Sequence, residues 1–394
     1  MAFAGIRGTG DWGTDERPKN FREMILWMNP NGSAPLYALM ARAKKESTND
    51  PEFAWWEEKL QAVRLTLDGT GASASSTAVG VTVNGLMVVA GDLLLVEKTE
   101  TATYDNEIVV VSSVTSDTAI VIKRAQAGSS AAAIPAGAFV TRIGNAFMEG
   151  TGAPGVSQRN PTKLKNYTQI FKTAVGITGT AKETKARTGE AWANDKKRKA
   201  FDHSVSIEMA MMFGQAAEDT SGAKPIRYMG GLREFITTNV KIYTTTPTED
   251  QFLTDVYKVF DYTGGGAGDE RVVLAGNGFL NSLNKLARTS TSTRINFDGT
   301  LKMYGMNLQK WVLPQGTLGV KTHPLMNLHP RFANSAFILD PTGIRWRPLG
   351  GRDTKFQDNI QANDEDIRKA QWFTEAGIEV NHEETMAYLG NFVV

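Results

Sequence analysis

Four histidines, no cysteine and a few acidic clusters are what this chain of 394 residues offers for chemistry. His323 and His329 flank two prolines in HPLMNLHP. A helical metal pair stands at i, i+4 with a carboxylate close by, and neither condition is met. His203 and His382 stand alone, so structural roles are expected for all four. Without cysteine, thiolate nucleophiles, disulfides and Cys-based zinc sites are excluded. No Gly-x-Ser-x-Gly elbow exists, and the serine-rich stretches Ser73 to Ser76 and Ser129-Ser130 read as low-complexity loops. Asp364-Glu365-Asp366 and Glu383-Glu384 read as solvated faces or intersubunit ion-pair partners rather than an acid/base pair.

Two further motifs need weighing. Gly264-Gly265-Gly266-Ala267-Gly268 could cradle a phosphate, but its strand follows instead of preceding it and no Lys-Ser/Thr comes after. A surface loop is expected there. The run Lys196-Lys197-Arg198-Lys199 has the cation density that phosphate contact requires, so weak contact with DNA is its functional reading. Asp195, Asp202 and Glu208 dilute its field and no aromatic residue interleaves it, so a solvated or salt-bridged face competes. No catalytic, cofactor-binding or metal residue is nominated, no cofactor is expected, and the chain does not read as an enzyme.

The elements that would position these residues follow from composition and pattern. Hydrophobic residues make up 41% and charged residues 22%, the balance of an ordinary globular protein, and the length calls for two or three packed regions. Formal net charge is +1, too small for a global field and permissive of close association with copies of itself. No window approaches 18 consecutive apolar residues, and the N-terminus lacks a basic-then-apolar signal design. No membrane partner and a cytoplasmic origin are expected.

An opening arm, AFAGIRGTGDWGTDERPKN, has no hydrophobic periodicity. Short helices are expected around 21–28 and 36–43. Residues 68–166 are strongly β in character, with runs at 79–83, 86–96, 107–114 and 118–124 separated by turn dipeptides such as Gly91-Asp92 and Ser116-Asp117. Five or six short strands suggest a small barrel or sandwich, bracketed by flexible segments as an insertion would be. A long helix is expected over Gly189 to Ala217, spanning roughly 43 Å, with Phe201, Val205, Met209, Met212 and Ala216 as its apolar stripe. Thr248 with Gln251 spells a capping box before Phe252, Val256, Val259 and Phe260. Strands at 271–276, 307–313, 317–322 and 335–340 and a helix at 278–288 complete an α+β pattern.

Order and motifs together resemble a known family. The resembling pieces are Asn20-Phe21-Arg22-Glu23-Met24-Ile25 through Ala34-Pro35-Leu36-Tyr37, Trp55-Trp56-Glu57, Asn166-Tyr167-Thr168-Gln169-Ile170-Phe171 and Gly179-Thr180-Ala181. Ile207-Glu208 with Phe213-Gly214, Arg227-Tyr228-Met229-Gly230-Gly231-Leu232, Tyr304-Gly305 and Glu375-Ala376-Gly377-Ile378-Glu379 follow. The whole chain resembles the major capsid (major head) proteins of tailed bacteriophages with the Hong Kong 97-type fold, in the group whose extended loop carries an inserted β-domain.

The resemblance implies an N-terminal arm over residues 1–50 and an extended loop over 51–180, with the β-insertion at about 70–148. It implies a peripheral-domain spine helix over 181–220, an axial domain over 221–344 and a return to the peripheral domain over 345–394. It also implies hexamers and pentamers of this chain closing into an icosahedral shell around non-specifically held, packaged dsDNA. Portal and scaffolding proteins would be partners, and a decoration protein an optional one. The virion would be its location, reached by assembly in the host cytoplasm. An encapsulin-like compartment shell, and a phage tail or adhesin protein, are the competing structural readings.

Overall fold

The alternation in EFAWWE sets the first described strand, β1 (Glu52–Glu57), with Phe53 and Trp55 buried and Ala54 and Trp56 exposed. The computed structural model describes residues 45–58, 63–68, 71–82, 85–97, 106–156, 158, 160–185, 189–262, 270–289, 297–303 and 306–394. The expected N-terminal helices and the 264–268 loop lie outside them. Two compact units are present, Trp56–Lys163 and a larger one formed by the described residues up to Trp55 with Leu164–Val394.

Six strands make the smaller unit: β2 (Arg64–Thr66), β3 (Ala78–Gly80), β4 (Asp92–Val96), β5 (Ile108–Ser116), β6 (Ala119–Gln126) and β7 (Phe139–Asn145). They pair antiparallel in the order β2-β7-β4-β5-β6-β3. The two outer strands then meet. Leu67 bridges Val81, the Asp68 N–H donates to Gly80 O at 3.0 Å, and the Thr82 N–H donates to Thr66 O at 2.9 Å. The sheet thus closes into a barrel, which decides between the two architectures the β runs allowed and leaves no open edge.

Alternate positions of every strand fill the barrel interior, with Leu65, Val79, Leu94, Val96, Val109, Val111, Ile120, Ile122 and Val140 buried together. The run 86–96 splits at its Gly91-Asp92 turn, so only Asp92–Val96 is strand. Gly91 has φ +94°, and a Cβ there would lie 2.3 Å from the Phe147 ring, so only glycine fits.

The larger unit begins with β8 (Thr162–Tyr167), which pairs with β1, and β9 (Gln169–Thr178). A short helix α1 (Gly179–Glu183) and the long helix α2 (Ala191–Phe213) follow. Next come β10 (Ala217–Asp219), β11 (Ile226–Tyr228), α3 (Leu232–Phe235), β12 (Val240–Ile242) and α4 (Glu249–Tyr257). The capping box forms as expected, Thr248 and Gln251 each bonding the other's backbone N–H. The rest are β13 (Glu270–Ala275), α5 (Asn277–Thr289), β14 (Phe297–Met303), β15 (Met306–Leu313), β16 (Gly316–Thr322), α6 (Pro330–Ala333), β17 (Ala336–Leu339), β18 (Ile344–Pro348), β19 (Lys355–Gln357), β20 (Ile367–Val380) and β21 (Ala387–Gly390).

Seven strands form one mixed sheet in the order β12-β21-β17-β13-β16-β15-β14. Its two faces feed two cores. Val273, Ala275, Ile338 and Leu389 pack with Phe252 and Val256 of α4 and Phe279 and Leu283 of α5. Val272, Leu274, Phe337 and Leu339 pack instead with Ile207, Met211 and Met212 of α2. Burial on both faces is why RVVLA and AFIL read as continuous apolar runs. A second sheet has β20 at its centre, with β9 along one edge and β19 and β18 along the other.

Helix α2 differs from expectation in length and in face. It ends where the Gly214 N–H bonds Ala210 O at 2.9 Å, giving 23 residues and roughly 34 Å. Its buried residues are His203, Ile207, Glu208, Met211 and Met212; Phe201, Val205 and Met209 are only half-buried, and Ala216 lies beyond the helix. The apolar stripe was displaced because two polar residues, each with a buried partner, occupy the core face.

Candidate functional site

The four histidines fall into four different environments. The His203 ring sits buried between the Thr173 hydroxyl of β9 (3.0 Å) and the Thr374 hydroxyl of β20 (2.8 Å), and burial lowers its pKa. His323 Nε2 lies 2.6 Å from Glu208 Oε1, deep in the interior. His329 caps α6 by accepting from the Arg331 N–H at 3.2 Å. His382 takes the left-handed conformation, φ 52°, ahead of the Glu383 turn. Glu383 there accepts from the Thr237 and Thr238 N–H groups, each at 3.0 Å, and Glu384 is buried. Asp364, Glu365 and Asp366 stay exposed in the turn before β20. Among the described residues, no group of three or more His, Asp or Glu side chains could hold a metal ion.

The basic run lies on the first half of α2. Lys196 places its ammonium 3.8 Å from the Phe356 ring centroid, and its carbonyl accepts from Trp372 Nε1 at 3.4 Å. Lys199 pairs with Asp202 at 3.2 Å. Lys197 and Arg198 are exposed.

A charged network with no motif in the sequence joins residues 45–48 to the β20 sheet. Lys45 and Thr48 bridge Trp346 and Leu349 in parallel, extending the sheet beyond β18. Glu46 receives Arg345 Nη1 at 3.0 Å and Arg347 Nη1 at 3.1 Å, and both arginines also reach Glu379. Burial alone would raise the Glu46 pKa, but the two guanidiniums outweigh it and hold the carboxyl below its usual range. Lys45 pairs with Asp353 at 2.9 Å. The only local signal was charge at alternate positions of apolar strands, in I-R-W-R-P and E-A-G-I-E-V.

Asn166, one of the residues that carry the family resemblance, fastens three segments. Its Nδ2 donates to Gly230 O (3.1 Å) and Ile378 O (2.7 Å), while Oδ1 accepts from the Gly230 and Tyr167 N–H groups at 2.7 and 2.8 Å. Gly377 makes room for this packing, since a Cβ there would lie 2.6 Å from Tyr167 O and 2.8 Å from the Phe53 ring.

Large apolar side chains remain in water in both units. Met148, Val156 and Trp56 are 80%, 85% and 64% exposed in the smaller one, and Leu328 is 71% exposed in the larger.

The family model of the SU10 major capsid protein matches residues 5–392. The chain belongs to that family. The capsid protein is also 24% identical, over 371 residues, to the major capsid protein of Pseudomonas phage PaMx41, an alignment covering 92% of this chain and 86% of that one. Among solved structures, it is similar to the capsid of a native GTA particle (TM-score 0.44, 9% identity, 98% of each chain) and to a chain of Mycobacterium phage Bobi (TM-score 0.45, 8% identity, 95% of each). A further likeness is to the holo-SrpI encapsulin complex from Synechococcus elongatus PCC 7942, with TM-score 0.42 and 10% identity over 59% of this chain and 76% of that one. The phage capsid family identified from the sequence is thus the family of this capsid protein.

Proposed function

We propose that copies of this major capsid protein close into an icosahedral shell of hexamers and pentamers that encloses packaged dsDNA of a tailed phage, as a structural and not a catalytic component. Family membership across residues 5–392 is the observation that carries the reading. Heterologous contacts suit it, because two different patches of one chain meeting head to tail close into rings. Many weak contacts sum to a stable particle.

Within the shell, residues 1–50 serve as an arm and 51–180 as an extended loop bearing the barrel. The spine helix lies in 181–220, the axial domain in 221–344 and the peripheral return in 345–394. Assembly takes place in the host cytoplasm with portal and scaffolding proteins, and with a decoration protein where one is present. Lys197 and Arg198, the exposed pair of the basic run, add weak phosphate contacts alongside Lys196 and Lys199.

Particles isolated from the producing host, treated with nuclease and then opened, test this directly. Protected dsDNA of uniform length is expected. Particles filled with one enzyme and no DNA would assign the shell to a cargo compartment instead.

A further inference from the structure

The β20 sheet has one face in the core and one that faces away from it. Residues directly opposite across a ladder share a face. Phe171, Thr173, Trp372, Thr374 and Phe356 lie towards α2 through the His203, Lys196 and core contacts above. Lys172, Phe373 and Lys355 form one row on the other face, paired in register across β9, β20 and β19. Phe373 is buried at the centre of this row, with the Arg352 guanidinium 4.5 Å and the Lys172 ammonium 5.9 Å from its ring centroid. Arg352 is neutralised by Glu375. Lys172 and Lys355 are exposed, on strands two spacings apart, about 10 Å. Among the described residues neither meets a carboxylate within ion-pair distance.

The same sheet carries an unmatched complement. Asp364 and Glu365 sit in the turn closed by the Glu365 N–H to Ala362 O bond (3.2 Å), exposed and without an ion-pair partner among the described residues. This turn enters β20 at Ile367, so Asp366 stands seven residues along the strand from Phe373, roughly 23 Å away. The turn of one subunit cannot reach that subunit's own lysine row.

We infer that the Lys172–Phe373–Lys355 row is a docking surface for the Asp364-Glu365 turn of a second copy of this chain. Two different patches on one subunit make a heterologous contact, the kind that closes into rings. This inference rests on the shell-assembly reading and names one of its contacts.

The test compares shell yield from the full-length chain with that of Lys172→Glu/Lys355→Glu, of Asp364→Lys/Glu365→Lys, and of all four changes together. Each double variant should lower yield at least about tenfold at low ionic strength, because every repeated contact is weakened at once. The fourfold variant, with charges exchanged, should recover to within about threefold of the unaltered chain. Melting of the unassembled subunits is expected to be the same for all four proteins, and the milder Lys172→Gln/Lys355→Gln should show an intermediate yield. Normal yield from either double variant, or no recovery in the fourfold one, would overturn the pairing. Lys172→Glu/Lys355→Glu shells that form normally but lose protected DNA would overturn it too, assigning the row to phosphates. Absence of shells from the unaltered chain would contradict the assembly reading itself.

Discussion

His323 Nε2 donates to the Glu208 carboxylate at 2.6 Å, and neither side chain has any exposed surface. The bond ties the middle of α2 to the segment that follows β16. Replacing Glu208 with Ala leaves a buried ring N–H without its acceptor and opens a cavity beside Met211 and Met212. A loss of about 3–5 kcal/mol in unfolding free energy is expected by denaturant titration of the unassembled subunit. A loss under about 1 kcal/mol would show that the pair is not what fixes the helix.

His203 gives the larger unit a pH dependence of definite sign. Burial lowers its folded pKa below the ordinary value of 6.5. The unfolded chain therefore binds a proton more readily than the folded one. The stability contribution of the neutral ring is complete above pH 6.5 and declines as pH falls towards the lowered value. His203→Gln keeps hydrogen-bonding capacity towards Thr173 and Thr374 without titrating. Its melting temperature should fall less than that of the unaltered chain between pH 7 and 5, and parallel curves would count against this.

Inside the barrel, Arg124 Nε and Nη2 each lie 2.7 Å from the fully buried Glu107 carboxylate. Burial alone would raise the Glu107 pKa; Arg124 and the N–H groups of Ala125 and Ala132 overcome that and lower it. Arg124→Ala strands a carboxylate in the barrel and should cost about 3–5 kcal/mol. Limited proteolysis should then cut within 56–163 first. Glu107→Gln/Arg124→Met removes both charges and should be milder than the single change.

Asn166 makes four hydrogen bonds from a position with no exposure. Asn166→Asp keeps the two acceptor bonds and loses both donors, so two carbonyls on Gly230 and Ile378 go unpaired. A cost of about 2–4 kcal/mol follows, read as lower melting temperature and faster amide exchange at Gly230. Equal exchange in both proteins would refute the fastening role.

What the sequence made legible was local. The Thr248 capping box, the β13 and β17 runs and the alternating barrel strands are written within a few residues of one another, and each formed. The α2 core face was misjudged because His203 and Glu208 look solvent-facing until Thr374 and His323 are folded against them from 171 and 115 residues away. The Glu46–Arg345 contact joins residues 299 apart, and pattern within a strand cannot specify such a partner. Strand β14 went unread because Asp298-Gly299 interrupts its apolar run.

Electron microscopy of the purified, overexpressed chain tests the central claim most directly. Closed shells of uniform diameter, with five- and six-fold clusters of subunits, are the predicted result. A monodisperse small oligomer that persists at high protein concentration would contradict it.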